Sequence, residues 1–312
     1  MLLNIIFYLF SFLVIWFGAG MVVASVDRIS HKLNLSAFAI SFFLLGILTS
    51  VPEISVGINS VIQNDPDIFI GNLIGGVVVI FLLVIPILAI WGKGIKLVHQ
   101  MENKNLIFAL LVIAAPTIFV LDGRVGFTEG LFSIILYSVL VYVVEKKKGL
   151  FEQVKDKIMD GNNHILEDLL KILGGVVTIF LASKFVVNGT IYFSQFFHIS
   201  EFLLSLVVVS IGTNLPELSL VVRSLSMKKK EVAFGDYLGS AASNTLIFGA
   251  LVLFSGGNVT TSNHFLQTFI IVIGGLWMFY LFARSKNEIS RKEGLILFGL
   301  YLFFLAVEVI FV

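Results

Sequence analysis

Leu48-Thr49-Ser50-Val51-Pro52-Glu53 and, 164 residues later, Gly212-Thr213-Asn214-Leu215-Pro216-Glu217 are the stretches on which the reading of this chain turns. Each lies inside a long apolar segment of the kind that crosses a bilayer. Proline has no backbone N–H, so the carbonyl four residues back, Leu48 or Gly212, loses its partner and the helix kinks. Thr49 and Glu53 are four apart, as are Thr213 and Glu217, so each pair is expected to share a helix face. A carboxylate, a hydroxyl and freed carbonyls at one depth form the hard oxygen set that Ca2+ prefers.

The echo extends well beyond six residues. Ser36–Ile80 laid on Ser200–Asn244 gives 45 ungapped pairs, of which 11 are identical, among them Thr49/Thr213, Pro52/Pro216, Glu53/Glu217, Gly71/Gly235 and Gly75/Gly239. Apolar segments share Leu, Ile and Val by chance, but not Thr, Pro, Glu and two Gly in one register. Hydropathy and helix breakers give ten expected spans: 3–26, 36–62, 69–92, 105–121, 126–144, 169–195, 200–226, 232–255, 264–283 and 290–311. Five helices per repeat is an odd number, so the second copy enters from the opposite side. The expected fold is an all-α polytopic membrane protein of ten transmembrane helices in two inverted-topology five-helix repeats. Residues 1–144 form the first, 145–168 a loop, and 169–312 the second.

Composition sets the class. Of 312 residues 58% are hydrophobic and 13% charged, with a mean hydropathy of +1.01. A water-soluble chain could not hide that much apolar surface. The net charge of +1 gives no reason to expect nucleic acid as a partner, and the absence of Cys excludes disulfides and thiolate metal sites. The apolar N-terminal run has no small-residue cleavage site and is expected to be a retained first helix. Nineteen of the 21 Lys and Arg fall on one side of the ten-span scheme, leaving Arg124 opposite and Lys184 inside a span. The positive-inside rule then places both termini outside the cytoplasm, the loop 145–168 within it, and the protein in the cell membrane.

Glu53 and Glu217 have a purely structural reading, an interhelical hydrogen bond from a protonated carboxyl. Against it, a carboxylate at mid-membrane costs about 3 kcal/mol on insertion scales and by default marks an ion or proton path. Gly71-Asn72-Leu73-Ile74-Gly75-Gly76 and Gly235-Asp236-Tyr237-Leu238-Gly239-Ser240 open the following helices, and small residues four apart let backbones touch. That approach would carry Ser240 and Asn244 toward the glutamates. Asn72 and Asp236 are expected near helix starts, in capping or loop contacts. Pro86 and Pro116 have no counterpart in the other half and read as ordinary kinks, and Asp122-Gly123 as a turn outside the membrane. Glu308 has no assignment, and the lysine run 228–230 reads as an orientation signal, with contact to anionic lipid the alternative. Lys184 sits either with its ammonium at the outer interface or in an outer vestibule, salt-bridged to a carboxylate.

At these motifs the chain resembles the cation/Ca2+ antiporter superfamily, in its sodium/calcium exchanger branch. That family carries G-T-S-x-P-E in the second helix of each repeat and a G-N-x-x-G-S-N-type motif in the third. The resemblance covers essentially the whole chain. It implies that Glu53, Thr49, Ser50, Glu217, Thr213, Ser240 and Asn244 bind Ca2+ and Na+, with Asn214 where the family has Ser. Leu48 stands in place of the family's Gly, and Gly76 and Ile80 in place of its Ser and Asn or Asp. Gly20 and Lys184 replace acidic residues. The resemblance implies a secondary antiporter, not an enzyme, exchanging Ca2+ or a related divalent cation for Na+. It needs no cofactor beyond the transported ions, and its partners are those ions and the lipid bilayer. An H+-coupled divalent cation exchanger and a cation-binding paralogue without transport stay open, as does the oligomeric state, a monomer being one reading.

Overall fold

Once the apolar runs leave water, their backbone groups must pair within the segment, so they fold as helices. A computed structural model describes residues 1–32, 46–96, 103–145, 164–227, 230–261, 266–286 and 288–310. Residues 33–45, which include 36–45 of the second expected span, the loop residues 146–163 and Lys228 and Lys229 lie outside the described residues.

The helices are α1 (Leu2–Lys32), α2 (Gly46–Thr49), α3 (Val51–Ile62), α4 (Pro66–Val78), α5 (Ile85–Trp91), α6 (Asn103–Phe119), α7 (Phe127–Glu145), α8 (His164–Phe197), α9 (Glu201–Leu204), α10 (Ser210–Thr213), α11 (Leu215–Met227), α12 (Lys230–Phe254), α13 (Leu266–Lys286) and α14 (Arg291–Ile310). A π-helical segment, Val79–Val84, joins α4 to α5, and a second, Ser205–Val209, joins α9 to α10. The protein is an all-α polytopic membrane protein. Among the described residues six helices are long and apolar enough to cross a bilayer, or seven with the bent pair Glu201–Thr213 and Leu215–Val222. Length and composition therefore do not by themselves fix the expected count of ten. The other three expected spans fall on the shorter apolar helices α3 and α6 and on α14.

Burial ranks these helices. In Pro66–Trp91 and Phe234–Phe254, 83% and 78% of the apolar window is inside the molecule, against 28–44% for the other four. These two form the centre. Helices α1 and α8 pack on one another in a second apolar cluster built on Tyr8, Phe12, Ile15, Ile179 and Val186, which also takes in Val51, Val56, Ile68 and Val209. They cross where Gly18 meets Gly175, since a Cβ on Gly175 would sit 2.8 Å from the Gly18 carbonyl oxygen. A Tyr8–Thr190 hydroxyl bond of 2.8 Å ties one end of the pair, and an Arg28–Asp168 ion pair of 2.7 Å ties the other.

Short strands tie the halves together. Antiparallel β1 (Ile95–Lys96) pairs with β4 (Glu288–Ile289), and β2 (Arg124–Gly126) with β3 (Asn258–Thr260). Shifting by 164 carries the pair Ile95/Ile289 onto Val259/Val125 and Lys96/Glu288 onto Thr260/Arg124. The two ladders are thus equivalents of one another, and the repeat register runs on past the 45 residues that display it in sequence. Pro86 lies in the first turn of α5, directly after the π segment, and Pro116 inside α6. Asp122 makes a turn, its carboxylate accepting the Arg124 N–H at 3.0 Å.

Candidate functional site

The prolines do more than kink their helices. Each apolar segment breaks one residue before the Val-Pro or Leu-Pro step, at Ser50 (φ −80°, ψ 6°) and Asn214 (φ −89°, ψ 14°). Both residues sit in the sparsely occupied bridge region between helix and strand. The second break bends its helix pair by 40°. Each broken segment meets the other half's buried helix about ten residues in, at Gly239 and Gly75. A Cβ on Gly46 would come 2.5 Å from the Gly239 carbonyl carbon, and one on Gly75 would come 2.7 Å from Ser210 Cβ. These contacts are also related by the 164 shift, and only glycine permits backbones this close.

The eight residues singled out in sequence converge here, all buried: Thr49, Ser50, Glu53, Thr213, Asn214, Glu217, Ser240 and Asn244. Asn214 Nδ2 donates to Glu53 Oε1 at 3.3 Å, and Ser240 Oγ to Glu217 Oε1 at 3.1 Å. The Ser50 hydroxyl lies 3.3 Å from that of Ser240. Tyr237 fastens the second glutamate's helix, donating to the Glu217 carbonyl at 3.2 Å. Asn244 reaches the Leu73 carbonyl (3.2 Å), not a glutamate, so the expected approach holds for Ser240 alone. Gly76 provides no ligand, but the space beside it is used: a Cβ there would meet Asn244 Nδ2 at 2.9 Å and Asn214 Nδ2 at 3.3 Å.

Each threonine bonds to the other half of the chain, Thr49 to Asp236 and Thr213 to Asn72. The break after each threonine interrupts the helix on which an i, i+4 pair with its own glutamate depends. Asn72 and Asp236 also lie elsewhere than expected. Their helices begin six residues earlier, at Pro66 and Lys230, so both are fully buried and neither caps a helix. Thr213 Oγ1 donates to Asn72 Oδ1 at 3.0 Å and Thr49 Oγ1 to Asp236 Oδ1 at 3.4 Å, again mates under the same shift. That shift applied to Thr49 and Thr213 is the signal by which the pair could have been found.

Lys184 is exposed on α8 beside the exposed Leu181 and Phe185, and has no ion-pair partner among the described residues. Of its two expected placements, a salt bridge in a vestibule is not seen among the described residues; its neighbour Ser183 faces inward, where Asn59 Nδ2 donates to it at 2.8 Å. Glu308 accepts a hydrogen bond from Thr268 at 2.6 Å, joining α14 to α13. Among the described residues no three His, Cys, Asp or Glu side chains converge as a ready metal cluster. The oxygen set around the two glutamates is instead mixed, with hydroxyls and amides between the carboxylates.

A family model described as sodium/calcium exchanger protein matches residues 3–145 and 169–310. The chain belongs to that family. Its members are ion transporters, not enzymes. Over 98% of both chains it is 26% identical to an uncharacterised membrane protein of Methanocaldococcus jannaschii. It is 24% identical to the sodium/calcium exchanger MaX1 of Methanosarcina acetivorans, over 93% of this chain and 94% of MaX1. Among solved structures it is similar to the sodium-calcium exchanger NCX_Mj soaked with Na+ and Sr2+, with a TM-score of 0.70 and 22% identity over 98% of each chain. That likeness carries the fold.

Proposed function

We propose that the protein is a secondary antiporter that moves Ca2+, or a related divalent cation, out of the cytoplasm in exchange for Na+, by alternating access at a midplane site held by Glu53 and Glu217. The observation that carries this reading is a set of buried oxygens without a donor. Glu53 Oε2, Glu217 Oε2, Asn214 Oδ1 and Asn244 Oδ1 are all buried and have no hydrogen-bond partner among the described residues. A buried acceptor left unpaired costs about 1–3 kcal/mol, more when charged. One cation satisfies several at once, and two carboxylates match a divalent ion in charge. Thr49, Thr213, Ser50 and Ser240 supply hydroxyl oxygens of the same hard type. The ions come to the reading from the relatives: MaX1 is named a sodium/calcium exchanger, and NCX_Mj was soaked with Na+, Sr2+ and Ca2+.

Na+ and the divalent ion compete for the same oxygens. An occupied site is neutralised, and the α1/α8 pair slides past the centre along the apolar cluster it shares with Val51, Val56, Ile68 and Val209. An emptied site leaves two carboxylates unscreened in a low dielectric, which resists that passage and enforces exchange. In this reading 1–144 and 169–312 are the two inverted repeats, and the protein sits in the cell membrane with its termini outside and 145–168 in the cytoplasm.

The deciding measurement is 45Ca uptake into proteoliposomes loaded with Na+. Uptake that requires the Na+ gradient supports the reading. Uptake driven by a pH gradient alone transfers the function to H+-coupled exchange, and binding without uptake to a non-transporting paralogue. A cysteine at the exposed position 64 (Asn64→Cys) should label from outside, and labelling only from the cytoplasm overturns the orientation.

A further inference from the structure

The α1/α8 pair meets the two glutamate-bearing helices along equivalent seams that are fastened differently. Helix α8 lies against α3, which carries Glu53, and α1 against α11, which carries Glu217. The 164 register pairs Asn59 with Arg223 and Gln63 with Met227, and it pairs Ala19 with Ser183 and Ala24 with Asn188. At the first seam Asn59 Nδ2 donates toward the Ser55 carbonyl (2.9 Å), the Phe180 carbonyl (3.3 Å) and Ser183 Oγ (2.8 Å). Ser183 gives its own proton to the Phe180 carbonyl at 2.8 Å, so its oxygen accepts from Asn59. One turn further on, Gln63 Nε2 donates to Asn188 Oδ1. Asn59 and Ser183 are both buried, and polar groups at this depth in a bilayer need such partners. At the second seam Ala19 and Ala24 have no polar side chain to offer. Among the described residues the bond printed across it is the indole of Trp16, Nε1 to Ser219 Oγ at 2.5 Å, two residues from Glu217. Burial follows the fastening. Ser55 and Val56 of α3 are buried, whereas their mates Ser219 and Leu220 of α11 are half-buried and Val222 is exposed.

We infer that Asn59, Ser183, Gln63 and Asn188 are positioning residues that form the outer gate of the exchanger, a polar latch that holds α8 against α3 and must part each time the site opens outward. The inference rests on the antiporter reading above and on its orientation, in which α3 runs from the break at Ser50 to the outer surface. The latch is specific to one register. A slide of α8 by one helical turn, about 5.4 Å, carries both donors off their acceptors. The apolar contacts of the shared cluster have no such direction and survive the slide. The polar bonds, not the apolar cluster, therefore decide which register is preferred. With the latch made on the outer side and alanines at the equivalent places on the other, the favoured state is the one closed to the outside.

The chain has no cysteine, so Gln63→Cys/Asn188→Cys places the only two thiols across the seam. In the full-length protein in proteoliposomes, joining them with a short bifunctional methanethiosulfonate should abolish Na+-driven 45Ca exchange, and reduction should restore it. Exchange that continues in the crosslinked protein overturns the inference, as does a pair that does not crosslink. Asn59→Leu and Ser183→Ala remove the bonds with little change of volume, and the second keeps the test open if the first fails to fold. A population held in the closed state weakens the apparent affinity of the state it competes with. In right-side-out and inside-out vesicles each variant should therefore lower the half-saturating external Ca2+ about three- to tenfold, the worth of the lost bonds, without lowering the cytoplasmic value. A merely structural residue weakens both faces alike, and equal changes on the two faces overturn the gate. A wild-type protein without Na+-driven exchange overturns the antiporter reading itself, and this inference with it.

Discussion

Gly76 and Ser240 occupy equivalent positions in the two most buried helices, yet their surroundings differ. Ser240 donates to Glu217, while the space at Gly76 is taken by the amides of Asn214 and Asn244. Four residues on, Ile80 lies in a π-helical segment and Asn244 in continuous α-helix. The frame that carries these positions is symmetric: the breaks at Ser50 and Asn214, the glycine contacts and the strand ladders all repeat at 164. The difference teaches that backbone geometry and ligand chemistry vary independently here. A pseudo-twofold scaffold holds two glutamates in equivalent places and gives each a different neighbourhood.

The largest effect should come from what the halves share. Glu53→Gln and Glu217→Gln should each reduce exchange in proteoliposomes to background at unchanged Tm, because the amide keeps shape and loses charge. A variant of either kind with near-normal exchange would break the equivalence of the two glutamates. Next come the shared backbone contacts. Gly46→Ala and Gly75→Ala place a Cβ 2.5 Å from the Gly239 carbonyl carbon and 2.2 Å from the Leu206 carbonyl oxygen. Backbone cannot give way as a side chain does, so each should cost about 1–3 kcal/mol or more, read as a lowered Tm.

The difference between the halves predicts milder changes. Gly76→Ser gives the first half the hydroxyl that the second has, and its Cβ meets only the ends of two Asn side chains. It should fold, and it should tighten cation binding about two- to tenfold, the worth of one added polar contact. Unchanged binding would show that the amides already fill that role. Smallest of all, Lys184→Met should alter neither ion affinity nor stoichiometry, because Lys184 is exposed and unpaired among the described residues. A shift in the number of Na+ exchanged would restore it to the site.

Much of this frame is legible in the chain. Thr, Pro, Glu and Gly recurring in one register pointed to the candidate site, because their coincidence is not expected by chance and each has a backbone or charge consequence. The threonine partners were not legible, since an i, i+4 rule assumes an unbroken helix and the bridge-region residues Ser50 and Asn214 interrupt it. Asn72 and Asp236 are expected near helix starts because the spans read from hydropathy open only three and four residues before them, at 69 and 232, whereas α4 and α12 begin at Pro66 and Lys230. The side of α8 on which Lys184 lies was hidden for a related reason: a helix that is apolar almost all round has no stripe to orient it. Strands of two or three residues leave too little alternation to be read at all.

The cross-pairing of β1 with β4 and of β2 with β3 bears on how the protein is made. Each ladder joins a strand from the first half to one from the second, so the first half emerges from the ribosome with both its strands lacking partners. The second half must be inserted, in the opposite sense, before either edge closes, and β1 waits longest because β4 lies just before the last helix. Completion is therefore a property of the whole chain: a ribosome that stalls before Glu288 leaves a molecule whose two glutamates are both synthesised but whose first ladder is still open.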